Sequence, residues 1–482
     1  MPLFKSLREF YSEYEMPLAA AMHEVEKRGL LVDRDKLAKL AQHIDKEITE
    51  ECDKIATATG QKVFADPSMV PFLGKTHVNL NAPAQVVKLL ESLGLTIPLK
   101  RGTGRKTTDE ASLFRLFSDT GNPVLQSILR IRELNKIGGT YVRVELLDDT
   151  LYCSYVVAGT VTGRRSSRAN YLGLGTNHQN LPKHSKLGEM YRECIISRPG
   201  KIFVACDQKG AEDWIVQGLI ADASGVMDGI NELHSGVNRH RKLASFLFSL
   251  PELECHKNSV HYYLGKKIRH AGQYDMRGVT MSQSLASEQV ALSPAICDAF
   301  LQKFHEHEPQ IKQVFHAYVK EQLMNTRTLT TPIGRSRYFF SLRPYSDNSA
   351  VFREAYAYIP QSTIGDNTGL AILHCETKKP GLAVADGHDA VYLEVDDNDE
   401  SIMDAVALLQ EAFDRELTFQ NGFQIKIPVE VEVGYSLSPT EMRSCDNLSM
   451  DGLKATLATL KRHPLAQEIT TTGVLQPQLQ QP

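Results

Sequence analysis

Two short apolar runs, each meeting a carboxylate, constrain this chain more than any other feature. Ile202-Phe203-Val204-Ala205-Cys206 reads as a buried strand and stops abruptly at Asp207. Leu382-Ala383-Val384-Ala385 is a second run of the same kind. It is followed by Asp386-Gly387-His388-Asp389 and then by Val391-Tyr392-Leu393-Glu394-Val395. That order predicts strand, tight turn, strand: a hairpin whose tip holds acids. If both strands lie in one sheet, Asp207 and Asp389 can share a pair of magnesium ions, which activate a hydroxyl and stabilise a leaving pyrophosphate. The plainer reading is a strand meeting a loop, and these residues alone do not decide between the two.

The rest of the composition narrows the class. A chain of 482 residues, 42% hydrophobic and 23% charged, has room for roughly two to four packed units. Its net charge of −4 advertises no polyanion, so nucleic-acid binding would rely on a local groove of Lys and Arg. The eight cysteines are scattered with no CxxC, which suits a reducing cytoplasm better than a disulfide framework. Cys255, His256 and His261 have no second Cys or His pair at finger spacing, which argues against zinc. No apolar run is long enough for a signal peptide or a membrane span, so no membrane partner is expected.

Helical spacing dominates the N-terminal sixty residues. Leu18, Met22 and Val25 share one face, Gly29 is placed to stop that helix, and Leu37, Leu40, Ile44, Ile48 and Ile55 stripe a second one after Asp33. Lys100, Arg101, Arg105 and Lys106, with Gly102 and Gly104 between them, form a basic loop. It is either a solvated turn or a phosphate contact. Residues 226–345 are rich in helix signals, and from about 446 a tail rich in Gln, Thr and Pro reads as disordered.

Further motifs stand in series around the two acids. Thr162-Gly163-Arg164-Arg165-Ser166-Ser167 and Asn177-His178-Gln179-Asn180-Leu181-Pro182 come first, then Asp207 through Glu212, and then Lys266 through Tyr274. Arg353 and Gln361 follow, and His388-Asp389 closes the series. Lys266, His270 and Tyr274 fall at four-residue intervals, so they lie near one helix face where a cation can hold a triphosphate and a ring can stack on a base. Arg164, Asn177, Gln179, Arg353 and Gln361 are long hydrogen-bonding side chains suited to minor-groove acceptors, which sit alike in every base pair. Taken singly, each could equally be a surface residue.

In this order the motifs resemble family A (polymerase I-like) DNA polymerases over about residues 10–440. Weaker echoes extend the likeness toward the N-terminus: Asn79 to Gln85, Thr107 to Glu110, and Lys136 with Thr140-Tyr141. The resemblance implies an α+β right-hand fold with a helical thumb, an antiparallel-sheet palm and helical fingers. On that pattern residues 1–35 are N-terminal palm helices, 36–145 thumb, 146–225 palm, 226–345 fingers, 346–445 palm, and 446–482 the tail. It implies template-directed addition of dNTPs to a primer 3′-hydroxyl, with Asp207, Asp389 and Lys266 catalytic and two Mg2+ on Asp207 and Asp389. Glu212, Lys266, His270 and Tyr274 would bind the nucleotide, with Glu212 as the steric gate against a ribose 2′-hydroxyl. Arg164, Asn177, Gln179, Asn180, Arg353, Gln361 and His388 would bind primer-template DNA.

Departures from the pattern matter as well. Lys209 and Gly210 stand where the family usually has Ser and Gln, Tyr262 where it has an Arg, and His270 where it has Phe or Tyr. Asp275 replaces a Gly, Ala357 an Asn, and Ala390 the Glu that follows the second acid. With Tyr262 in the Arg position, His261, Lys257 or Lys267 are alternative partners for a triphosphate. Departures such as His270 and Asp275 point to a phage-type branch, and the expected location is cytoplasmic, the host cytoplasm if the chain is phage-encoded. No exonuclease region precedes the first helices, so proofreading would come from a separate exonuclease chain, with a processivity factor as another candidate partner, or else was truncated away. The rival readings are a single-subunit RNA polymerase, against which Glu212 argues, and an inactive DNA-binding protein of the same fold, which Tyr262 and Ala390 favour.

Overall fold

The computed structural model describes residues 2–460 apart from 75, 101, 184, 344 and 446–449. The chain folds as two units. One comprises Met1–Leu37, Val144–Gly236 and Lys312–Pro482, and the other Ala38–Arg143 and Val237–Ile311.

The first unit is organised by a five-stranded antiparallel sheet. The apolar run ending in Asp207 becomes the central strand, Lys201–Gln208, because it can be covered on both faces. On one side it pairs with Ala390–Asp396, the second arm of the anticipated hairpin, whose first arm is Ala383–Asp386. On the other side it pairs with Val429–Gly434, which in turn carries the short edge Arg443–Ser444. Val429-Glu430-Val431-Glu432-Val433 alternates apolar and acidic residues, the period-2 signal of a half-buried strand, although motif reading passed over it. The helices Ser349–Lys378 and Asp399–Phe413 pack on this sheet, and Ala211–Ser224 packs on the former.

Met16–Arg28 buries Leu18, Met22 and Val25, as their spacing predicts. It ends at Gly29, where φ is +56° and a Cβ would lie 2.5 Å from Thr150 Cγ2 and 2.8 Å from the Leu151 carbonyl. Glycine is needed there for both backbone angle and space. The reason for the close approach is an unanticipated strand: Leu30–Val32 pairs with both Thr150–Leu151 and Ile195–Ile196.

In the second unit the striped helix Arg34–Thr59 contributes Ile55 to an apolar cluster with Leu89, Leu90, Leu113, Leu125 and Ile128. The unit's other helices include Arg239–Phe248, Val260–Gln273 and Pro294–His307. Arg269, almost fully buried, pairs with Glu308 at 2.6 Å, and Arg239 reaches the same carboxylate at 2.8 Å.

Two sequence expectations need correction. Within the tail expected to be disordered from 446, Met450–Leu457 form a helix, because Leu453 is buried where this helix packs on Asp399–Phe413. Residues 446–449 and 461–482 lie outside the described residues. Asp386 is not at the hairpin tip but is the last residue of the first arm, and it is buried. The basic loop closes as a turn through a Leu99–Lys106 bridge, with Lys106 paired to Glu91, while Arg101 lies outside the described residues. Among the described residues no helix is long and apolar enough to cross a membrane.

Candidate active site

Antiparallel register brings the two acids together. Asp207 is directly opposite Ala390 on one side and Glu430 on the other. Asp389 precedes Ala390 in the turn, and its carbonyl accepts from the Gln208 N–H at 3.2 Å. Burial pushes the Asp207 carboxyl up to about 7, and Asp389 pushes the same way, with Glu432 and Glu430 adding to it and Lys183 opposing it. Asp207 Oδ1 is buried with no hydrogen-bond partner among the described residues, whereas Asp389 is exposed. A buried acceptor without a donor, beside a second carboxylate, is the arrangement a divalent cation relieves. Among the described residues no three His, Cys, Asp or Glu side chains gather as a complete metal cage. Two carboxylates nevertheless fit magnesium, which commonly takes its remaining ligands from water and substrate phosphates.

Beneath the acids runs a buried polar chain. Arg415 donates to Asn367 Oδ1 (2.6 Å), and Asn367 donates to Gln208 Oε1 (2.7 Å). Gln208 Nε2 donates to Thr368 Oγ1 (2.8 Å), which donates to the His388 carbonyl (3.2 Å). The chain ties the residue after Asp207 to the residue before Asp389 through the helix Ser349–Lys378. Gln208 lies in a quoted motif, but Asn367, Thr368 and Arg415 carry no local signal.

The other expected residues of this unit fall into two groups. Arg164 bridges Glu212, at 3.3 Å, and the backbone carbonyl of Gln361, at 3.2 Å, so these three meet. Arg353 lies two turns before Gln361 on the same helix and is half-buried. In the second group, Asn177 Oδ1 accepts from Ser167 Oγ and from the N–H groups of Gln179 and Asn180, capping the short turn His178–Asn180. Gln179 points its amide at Asp386, at 3.0 Å, and Asn180 is exposed. Burial holds the His388 imidazole below its ordinary value.

Lys266, His270 and Tyr274 belong to the other unit, on and just after the helix Val260–Gln273. Lys266 and His270 are exposed one turn apart, and the His270 and Tyr274 rings lie 5.9 Å apart. Tyr262, one turn before Lys266, has its hydroxyl 3.4 Å from the Asn238 amide. Lys267 is paired with Glu288 at 2.6 Å, and His261 lies against Phe248. That leaves Lys266 the better placed of the two lysines to meet an anion.

The family model for DNA polymerase family A matches residues 34–438. The chain is 26% identical over 451 residues to the thermostable DNA polymerase I of Thermus filiformis, covering 90% of this chain and 48% of that protein. It is 26% identical over 443 residues to DNA polymerase I of Deinococcus radiodurans, covering 89% of this chain and 41% of that protein. The chain thus spans about half the length of these curated relatives. Among solved structures, the POL domain of Pol1 from M. smegmatis, in complex with DNA primer-template and dNTP, matches with a TM-score of 0.72 at 20% identity. That match covers 89% of this chain and 71% of that one, and it is a likeness of fold. Because the family match takes in most of the chain and both acid-bearing strands, this chain belongs to DNA polymerase family A.

Proposed function

We propose that this chain is a DNA-directed DNA polymerase that adds deoxynucleotides to a primer 3′-hydroxyl on template DNA. The observation that carries the reading is the pair Asp207 and Asp389 on adjacent antiparallel strands, with a buried Asp207 oxygen lacking a donor. Two Mg2+ ions on these carboxylates would activate the 3′-hydroxyl and stabilise the leaving pyrophosphate. The chain's own residues do the positioning. Lys266 holds the triphosphate, His270 and Tyr274 face the nucleotide, and Glu212, steadied by Arg164, excludes a ribose 2′-hydroxyl. Arg353, Gln361, Gln179, Asn177, Asn180 and His388 follow the primer-template minor groove.

Residues 36–145 then serve as thumb, 226–345 as fingers, and 1–35, 146–225 and 346–445 as palm. The separation of the sheet-bearing unit from 38–143 with 237–311 supports this division, although 312–345 belongs to the sheet-bearing unit. Tyr262, His270 and Asp275 support a phage-type branch. Free, scattered cysteines support a cytoplasmic setting.

Primer extension with dNTPs and NTPs in parallel tests the reading. Extension with dNTPs only is expected. Extension with NTPs alone would make the chain an RNA polymerase, and no extension with intact primer-template binding would make it an inactive DNA-binding relative.

A further inference from the structure

The turn that presents Asp389 is strained. His388 has φ +74°, a region that non-glycine residues seldom occupy. Three hydrogen bonds hold it there. The Gly387 N–H donates to the Ala390 carbonyl (2.8 Å), the Thr368 hydroxyl shares its proton between the Ile364 carbonyl (3.0 Å) and the His388 carbonyl (3.2 Å), and the His388 N–H donates to Asp386 Oδ1 (3.0 Å).

Asp386 is itself held from behind. Its Oδ2 accepts from Arg165 Nε at 2.6 Å and from Gln179 Nε2 at 3.0 Å, and its N–H donates to the Tyr155 hydroxyl at 3.1 Å. Arg165 is 2% exposed and donates its Nη1 to the Gly365 carbonyl at 2.8 Å. Burial works against the Arg165 charge, but the Asp386 carboxylate beside it outweighs that effect, so the guanidinium keeps its charge. A buried ion pair is a poor device for stability alone, since well-packed apolar side chains often do as well. What an apolar pair cannot supply is a carboxylate with one oxygen clamped and the other aimed at a backbone N–H.

We infer that Asp386 is a positioning residue, pinned by Arg165 so that its second oxygen fixes the strained turn that presents Asp389. The inference rests on the reading of Asp389 as a metal ligand.

The test compares two double variants, each free of an uncompensated buried charge. Asp386→Asn with Arg165→Met keeps an acceptor for the His388 N–H, and once the Gln179 amide turns over, its Oε1, which has no partner among the described residues, can accept from the new amide in place of the bond that Gln179 Nε2 now donates. Asp386→Val with Arg165→Met removes the acceptor from a strand position that suits valine. Amide hydrogen exchange over residues 386–390 is measured without metal. Single-nucleotide insertion is then measured per active site against Mg2+ concentration.

The Asn double should stay within about threefold of native in every measure. The Val double should exchange at least about tenfold faster, lose about 10- to 100-fold in kcat and need several-fold more Mg2+, with primer-template binding within about threefold. Equal exchange and equal Mg2+ dependence in the two doubles would overturn the inference. If the Val double does not fold, Asp386→Ala in the same background takes its place under the same criteria. Asp389→Ala is the control for the underlying reading: if it keeps turnover, the metal assignment fails, while hydrogen exchange still decides whether Asp386 holds the turn.

Discussion

Asp207 lies directly opposite Ala390 across the central sheet, so Asp389, one residue earlier, joins Asp207 at the same end of two neighbouring strands. If the two carboxylates serve chemistry rather than docking, Asp207→Ala or Asp389→Ala should abolish extension and leave primer-template binding within about threefold. Extension rates and fluorescence titration of labelled primer-template measure the two effects. Near-normal turnover in either variant would remove that residue from the metal site.

Glu212 is held by Arg164, whose other contact is the Gln361 carbonyl. Glu212→Ala removes the gate and leaves Arg164 in place, so incorporation of NTP relative to dNTP should rise by at least about tenfold. Unchanged discrimination in single-nucleotide insertion would assign the gate elsewhere.

Lys267 is occupied by Glu288, and Tyr262 stands one turn before Lys266. Lys266→Ala should therefore cost about 2–4 kcal/mol in kcat/KM for dNTP, and Tyr262→Arg should be tolerated or tighten dNTP binding. A mild defect in Lys266→Ala together with failure of a Lys257 variant would move the triphosphate grip along the helix.

Gly369 lets the helix Ser349–Lys378 lie against Tyr14 and Arg165. A Cβ there would come within 2.2 Å of the Tyr14 hydroxyl and 2.7 Å of Arg165 Nη1. Both are buried and cannot swing away, so Gly369→Ala should destabilise the sheet-bearing unit by about 1–3 kcal/mol. Thermal melting would show it, and an unchanged melting temperature would mean the helix shifts freely.

His178 gives a pH signature. Burial holds its imidazole down at about 4, against an ordinary value of 6.5. Above pH 6.5 the ring is neutral in folded and unfolded chains alike. Below that, the unfolded chain binds a proton that the folded chain refuses until about pH 4. Stability is therefore lost as pH falls through this window, by about 3 kcal/mol in full. Melting temperatures from pH 7.5 to 4.5 should fall more steeply for the native protein than for His178→Gln. Parallel curves would refute the assignment.

Local sequence was enough for the elements whose signals are local. The apolar runs at 202–206 and 382–385, the stripes of Leu18, Met22 and Val25, and the helix carrying Lys266 and His270 all formed where periodicity placed them. A buried strand or an amphipathic helix face is written in residues two to four apart, and the motif series was legible from its order along the chain.

What tertiary structure alone decided is which polar groups meet across distance. Arg165 and Asp386 are 221 positions apart, and nothing beside either one announces a buried ion pair. Gln208, Asn367, Thr368 and Arg415 likewise became a chain only when the long helix was laid against the sheet. Met450–Leu457 looked disordered by composition, yet it folds because Leu453 gains a partner surface that its own segment lacks. The physical reason is the same in each case. Burial strips water from a side chain, and its replacement partner is chosen by the packing of elements distant in sequence.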